Sequence, residues 1–194
     1  IIKPVIEELY SVEKEQVYCS ILPTTTQYSR NALFAGLMPS DIKNKYPEKW
    51  IDEETNEGKN LYEDFFLLEN LKRCSTIIKS SYHKITNLNK GKKLLNNFNN
   101  LLQNNLNTIV YNFVDTLSHA RTEMDVIKEL AEDESAYRSL TLSWFKHSPL
   151  YEMMKRMSES SSKVFLTTDH GTIRVKNPTK IMGPKQTNSN MRYK

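Results

Sequence analysis

Three short stretches of this chain carry groups that can do chemistry. "PTTT" (Pro23 to Thr26) puts three hydroxyls in a row. "DTLSH" (Asp115 to His119) sets a carboxylate and an imidazole four residues apart, and "TTDHG" (Thr167 to Gly171) sets Asp169 beside His170. A helical turn through "DTLSH" places Asp115 and His119 on one face. An oxygen and an imidazole there suit a zinc-type cation; the alternative is an Asp cap with a histidine one turn on. Asp169 and His170 reach one metal if the backbone bends, which Gly171 permits, or else they mark an ordinary turn. Thr26 is either a helix cap or a nucleophile where a helix N-terminus can hold a phosphate. Taken together, the three stretches describe a two-metal phosphoryl-transfer site.

The elements that must position them follow from the pattern. "VYCSIL" (Val17 to Leu22) reads as a strand, with "PTTT" at its end. "RNALFAGL" (Arg30 to Leu37) reads as a helix that stops at Gly36, and Asn60 to Arg73 as an amphipathic helix. Met38 to Glu57 reads as an irregular excursion, a lid or an interface. Ser81 to Thr86 is a weak strand, Gly91 to Leu106 a helix, and Asn107 to Asp115 a strand buried on both faces. Glu123 to Met157 reads as two helices broken near "EDES". Lys163 to Asp169 is a second buried strand, and "GTIRVKNPTKIMG" a β excursion or hairpin beyond it. Strands alternating with helices predict an α/β fold with a mostly parallel sheet flanked by helices. Ligands of such sheets bind beyond the carboxyl ends of the strands, where all three stretches fall.

Composition sets the outer bounds. The 194 residues are 38% hydrophobic, enough for one sizeable domain. A formal net charge of +4 is too small to argue for nucleic-acid binding, yet it does not repel a phosphorylated substrate. Cys19 and Cys74 make neither a metal spacing nor a disulfide framework, which predicts a reduced, cytoplasmic setting. No apolar run approaches the roughly 20 residues of a membrane-spanning helix.

Other groups carry open readings. Arg30, one turn after Thr26, is a solvated arginine or a bidentate phosphate ligand. His147 is a helix-end cap or a substrate contact, and His83 a surface or partly buried histidine. Arg174, Lys176, Lys180 and Lys185 form a basic stretch, a solvated face or a guide for a polyanion.

Four segments, "SILPTTTQYSRNALFAGLMP", "IVYNFVDTLSHARTEMDVIKELA", "YRSLTLSWFKHSPL" and "VFLTTDHGTIRVKNPTK", resemble the PglZ domain of the alkaline phosphatase superfamily. The likeness is to the effector half of PorX-like response regulators of Bacteroidetes and covers nearly the whole chain as a single domain over residues 1–194. It implies an alkaline-phosphatase-like core and a phosphodiesterase holding two zinc ions, with manganese as the alternative, acting on nucleotides or oligonucleotides. Counting back from "AGLMP", Thr26 matches the nucleophile that also touches a metal, with Thr25 as the alternative. Asp169 and His170 match ligands of that metal; Asp115 and His119 match ligands of the other. Thr25, Arg30 and His147 are the candidate substrate contacts. The family context adds an attached receiver domain, a homodimer and control of type IX secretion. The competing expectation is a non-catalytic metal- and nucleotide-binding module that signals or dimerises. The family pattern also has an Asp on a first strand and a later His, neither present between Ile1 and Lys194, so the chain reads as a fragment truncated at both ends.

Overall fold

A computed structural model describes residues 1–51, 60–75, 77–171, 177 and 179, with the backbone alone at residues 119 and 121–123. The expected hairpin after Gly171 and the basic stretch Arg174 to Lys185 lie outside the described residues. In order, the helices are α1 (Lys3–Glu7), α2 (Thr26–Ala35), α3 (Pro39–Lys45), α4 (Glu63–Arg73), α5 (Leu88–Asn96), α6 (Phe98–Leu101), α7 (Phe113–Glu123), α8 (Asp125–Leu130), α9 (Glu134–Lys146) and α10 (Pro149–Ser158). Strand β1 (Ser80–Ile85) precedes α5, and β2 (Leu106–Tyr111) precedes α7. The chain divides into two compact units: Ile1–Glu15 with Ile78–Val164, and Gln16–Ile77 with Phe165–Lys194.

The first unit is built on β1 and β2, which pair in parallel from Ser80↔Leu106 to Ile85↔Tyr111. A parallel pair needs a crossover, and α5 with α6 supply it. The predicted single helix over Gly91 to Leu106 is two helices, because Asn97 ends α5 and opens α6. Asparagine competes with the helix for backbone hydrogen bonds. Asn107 uses its amide this way, donating to the Leu101 carbonyl at 2.8 Å. The strand predicted to run to Asp115 ends at Tyr111, and its residues are half-buried rather than buried on both faces. Among the described residues the sheet is two strands wide, and its β2 side chains meet helices without being enclosed.

Ile85, Leu94, Phe98, Leu101 and Met153 form one core cluster, and Val5, Phe145 and Met154 form another. Adjacent methionines of α10 serve both, so this helix joins the crossover helices to α1 and α9. Its start is well specified: Ser148 caps it by accepting from the Tyr151 amide at 3.2 Å, with Pro149 in the first turn. The stretch Glu123 to Met157, predicted as two helices, holds three. The break at "EDES" is present, with Asp133 capping α9 by accepting from the Ala136 amide at 2.7 Å. Ser148 and Pro149 add a second.

In the second unit α2 packs on α4, and Phe34, Ala35, Ile42 and Phe66 are buried. Gly36 ends α2 in the left-handed region (φ 59°), as the sequence predicts. A Cβ there would also meet the Asn70 amide at 2.8 Å. Arg73 donates to the Ala35 carbonyl and so satisfies the helix end. The excursion after Met38 is more regular than predicted: α3 starts on Pro39, a short 3-10 turn spans Pro47–Lys49, and Trp50 lies 5.8 Å from the Tyr28 ring of α2.

The two strands predicted at Val17 to Leu22 and Lys163 to Asp169 are absent as strands. Side chains bridge these segments instead of a backbone ladder: Tyr18 donates to the Thr168 carbonyl and Ser20 to the Asp169 carbonyl. Val17, Leu22, Phe165 and Leu166 remain exposed. Without burial of those side chains, little offsets the entropy cost of a ladder.

Two predictions follow from these packing arrangements. Arg30 and Glu63 form an ion pair with side chains only 12% and 1% exposed. Glu63→Ala removes the carboxylate from a buried ion pair and should cost up to about 3–5 kcal/mol in urea unfolding, whereas the double change Arg30→Met, Glu63→Leu should recover most of it. In the first unit, burial pushes the His83 imidazole below its ordinary value of 6.5. The unfolded chain therefore binds that proton more readily. The stability His83 contributes is complete above about pH 6.5 and is lost as pH falls through the lowered folded value. Urea midpoints taken down to about pH 5 should fall in the wild type and flatten in His83→Gln.

Candidate active site

The hydroxyls of "PTTT" are sorted by the start of α2. Thr25 occupies the cap position with extended backbone (φ −107°, ψ 147°), and its carbonyl accepts from the Ser29 amide at 2.9 Å and the Ser29 hydroxyl at 2.6 Å. Its own hydroxyl does not cap the helix. Instead Oγ1 is buried with no hydrogen-bond partner among the described residues. Thr26 is the first helical residue. Its carbonyl accepts from the Asn60 amide at 3.1 Å, and its Oγ1 lies 3.1 Å from His170 Nε2.

His170 has a fixed orientation. Its Nδ1 lies 3.0 Å from the Gly171 carbonyl, which can only accept, so Nδ1 carries a proton. In the neutral ring Nε2 then presents a lone pair toward Thr26. A backbone carbonyl holding the far ring nitrogen is the usual support of a metal-binding histidine. Asp169 brings its Oδ2 to 3.8 Å from the same Nε2, and the two side chains are 18% and 13% exposed. That carboxylate oxygen is buried and has no hydrogen-bond partner among the described residues. A buried carboxylate oxygen left unpaired is costly. A cation between Asp169 Oδ2, His170 Nε2 and Thr26 Oγ1 removes that cost, and the donor set of one carboxylate, one imidazole and one hydroxyl suits zinc. Among the described residues, no three His, Cys, Asp or Glu side chains converge, so the cluster rests on two strong donors and the threonine.

The structure therefore brings together Thr26, Asp169 and His170 of the second unit, with Thr25 at their side. Asp115 and His119 are on α7 of the first unit. The helical turn expected after β2 is present, so they sit four residues apart on one helix. Asp115 is exposed and lies in the first turn of α7; Asn112, not Asp115, holds the cap position. Of the His119 side chain nothing is described. Arg30 is committed to Glu63, a partner the sequence pattern did not reveal. His147 is exposed at the end of α9, its Nδ1 2.7 Å from the Ser143 carbonyl, the capping arrangement. His83 is half-buried, with Nε2 3.0 Å from the Ser81 hydroxyl.

Sequence reasoning passed over three supporting residues: Tyr18, Ser20 and Asn60. Tyr18 and Ser20 are two apart, so in an extended run they share a side. That spacing, in the segment read as a strand, was the available signal. Asn60 carried none.

Residues 2–193 match the family described as the BREX system PglZ alkaline phosphatase-like domain. No curated protein matches the chain. The match runs across both units, and on that extent the chain belongs to the PglZ family of alkaline phosphatase-like domains.

Proposed function

We propose that this chain is the hydrolase part of a zinc-dependent phosphodiesterase in which Thr26 is the nucleophile. The observation that carries the reading is the approach of Thr26 Oγ1 to His170 Nε2 at 3.1 Å, beside a buried Asp169 oxygen with no partner among the described residues. Asp169, His170 and Thr26 would hold one zinc, and Asp115 and His119 would serve a second. Bound zinc, or manganese, would supply a Lewis acid that favours the alkoxide of Thr26 and offsets charge on the phosphoryl oxygens.

The remaining work belongs to the chain. Thr26 Oγ attacks phosphorus, the P–O bond to the leaving alcohol breaks, and a threonyl phosphate forms; water then releases a phosphomonoester and restores the hydroxyl. The first turn of α2 offers backbone amides and the positive end of the helix dipole to the phosphate oxygens. Thr25, whose hydroxyl is unpaired among the described residues, stands beside the nucleophile as a second hydroxyl for the substrate. Arg30, through Glu63, holds α2 in place rather than standing ready for a phosphate.

The likeness of "SILPTTTQYSRNALFAGLMP" and "VFLTTDHGTIRVKNPTK" to PorX-type effectors supports a narrower setting. There the domain is the cytoplasmic output of a response regulator, joined to a receiver, acting on nucleotides or oligonucleotides and tied to type IX secretion. No helix among the described residues is long and apolar enough to cross a membrane.

The test is hydrolysis of bis(p-nitrophenyl) phosphate by the zinc-loaded full-length protein, beside Thr26→Ala and Asp169→Asn. Thr26→Ala should lower kcat at least ~10³-fold while keeping most of its zinc. Asp169→Asn should lose both turnover and zinc, read by metal analysis. Undiminished turnover in Thr26→Ala would overturn the nucleophile. Bound zinc with no turnover in the wild type would make the chain a metal-binding signalling module instead.

A further inference from the structure

The first unit contains a cavity of about 210 Å³ at the carboxyl ends of β1 and β2. This is the edge at which parallel α/β sheets bind ligands. Its wall includes Ile85, Tyr111, Phe113, Trp144 and Pro149. Phe113 and Trp144 stack face to face at 3.5 Å and 4°, and Tyr111 is tilted against Trp144 at 5.6 Å. Asp115 does not line it.

Three features define what it would take. The volume is below the roughly 300–1,000 Å³ of a site for a whole drug-sized ligand, so it suits one ring system. The walls are aromatic, which favours a flat ring with a π-face over an aliphatic chain. A few polar side chains, Thr86, Asn87 and Thr116, share the lining, so a ring that carries heteroatoms suits it better than a plain hydrocarbon. At the rim, Asn87 spends its Oδ1 on the Lys90 amide at 3.0 Å, while its side-chain NH₂ has no partner among the described residues.

We infer that this cavity is a binding site for a flat heteroaromatic ring of nucleobase size, packed against Tyr111, Phe113 and Trp144. The inference stands on the cavity and does not depend on Thr26 chemistry.

Isothermal titration of the full-length protein with adenosine, in zinc-free buffer, tests it. Saturable binding is expected, with ribose alone giving none. Thr116→Phe, placed on an exposed cavity residue of α7, should fill the space and weaken adenosine at least tenfold. Leu88→Trp does the same from the opposite rim, where Leu88 is 54% exposed, and covers the event that the first variant unfolds. Thr26→Ala should leave adenosine binding unchanged, so the outcome is separate from that of the hydrolysis assay. Absence of saturable binding at millimolar adenosine would overturn the inference. So would binding undiminished in a folded Thr116→Phe or Leu88→Trp protein.

Discussion

A buried carboxylate oxygen with no hydrogen-bond partner among the described residues is the constraint on which the candidate site of the second unit turns. Asp169 Oδ2 lies 3.8 Å from His170 Nε2, and that same nitrogen lies 3.1 Å from Thr26 Oγ1. Removing a carboxylate from water without a donor or a counter-charge is expensive. Folded proteins keep such a group where the cost is offset, and a bound cation is the simplest offset for this set of donors. The His170 ring supports the same reading, because its Nδ1 proton is held by the Gly171 carbonyl and its Nε2 faces the threonine.

The rigidity that this arrangement needs comes from α2. Its first residue carries the candidate nucleophile, and its two ends are fixed by different means. At the start, the Thr25 carbonyl takes bonds from the amide and hydroxyl of Ser29, and Asn60 holds the Thr26 carbonyl. At the finish, Gly36 turns left-handed over Asn70 and Arg73 covers the Ala35 carbonyl. Between them the buried Arg30–Glu63 pair ties α2 to α4. A nucleophile must be held to within a fraction of an ångström. A helix pinned at both ends meets that need better than a free loop.

Much of the local structure was legible in the residues. Gly36 as a helix stop, the amphipathic run into Arg73, the strand at β1 and the helical turn after β2 are properties of short windows, where period and turn chemistry act directly. What failed depended on distant partners. "VYCSIL" and "KVFLTTD" have strand composition, but whether such a run becomes a strand is decided by what covers it, and Val17 and Phe165 are 99% and 89% exposed. The Asn97 break was misread because leucine spacing outweighed asparagine's competition for the backbone. The Arg30–Glu63 pair joins residues 33 apart in sequence, beyond any periodic signal. The candidate site residues stand out in the sequence for the opposite reason: Asp-His and Thr-rich runs at segment ends are conspicuous in type even where their surroundings are not.

The contact between Thr26 and His170 closes a loop of 144 residues. Loop closure of that length is entropically unfavourable. The described bonds that hold the returning segment are side-chain bonds from Tyr18 and Ser20 to the carbonyls of Thr168 and Asp169, a weaker tie than a strand ladder. On the proposed reading, zinc adds the missing stability, since it binds Asp169, His170 and Thr26 well only when all three have converged. Anything that binds only the assembled form stabilises it by mass action, and metal–ligand bonds are strong enough to order a segment. Assembly of the site and the order of residues 165–171 are then one equilibrium. On that reading, the carboxylate that would be a liability in a metal-free fold would become the group through which metal reports that the proposed nucleophile is in place.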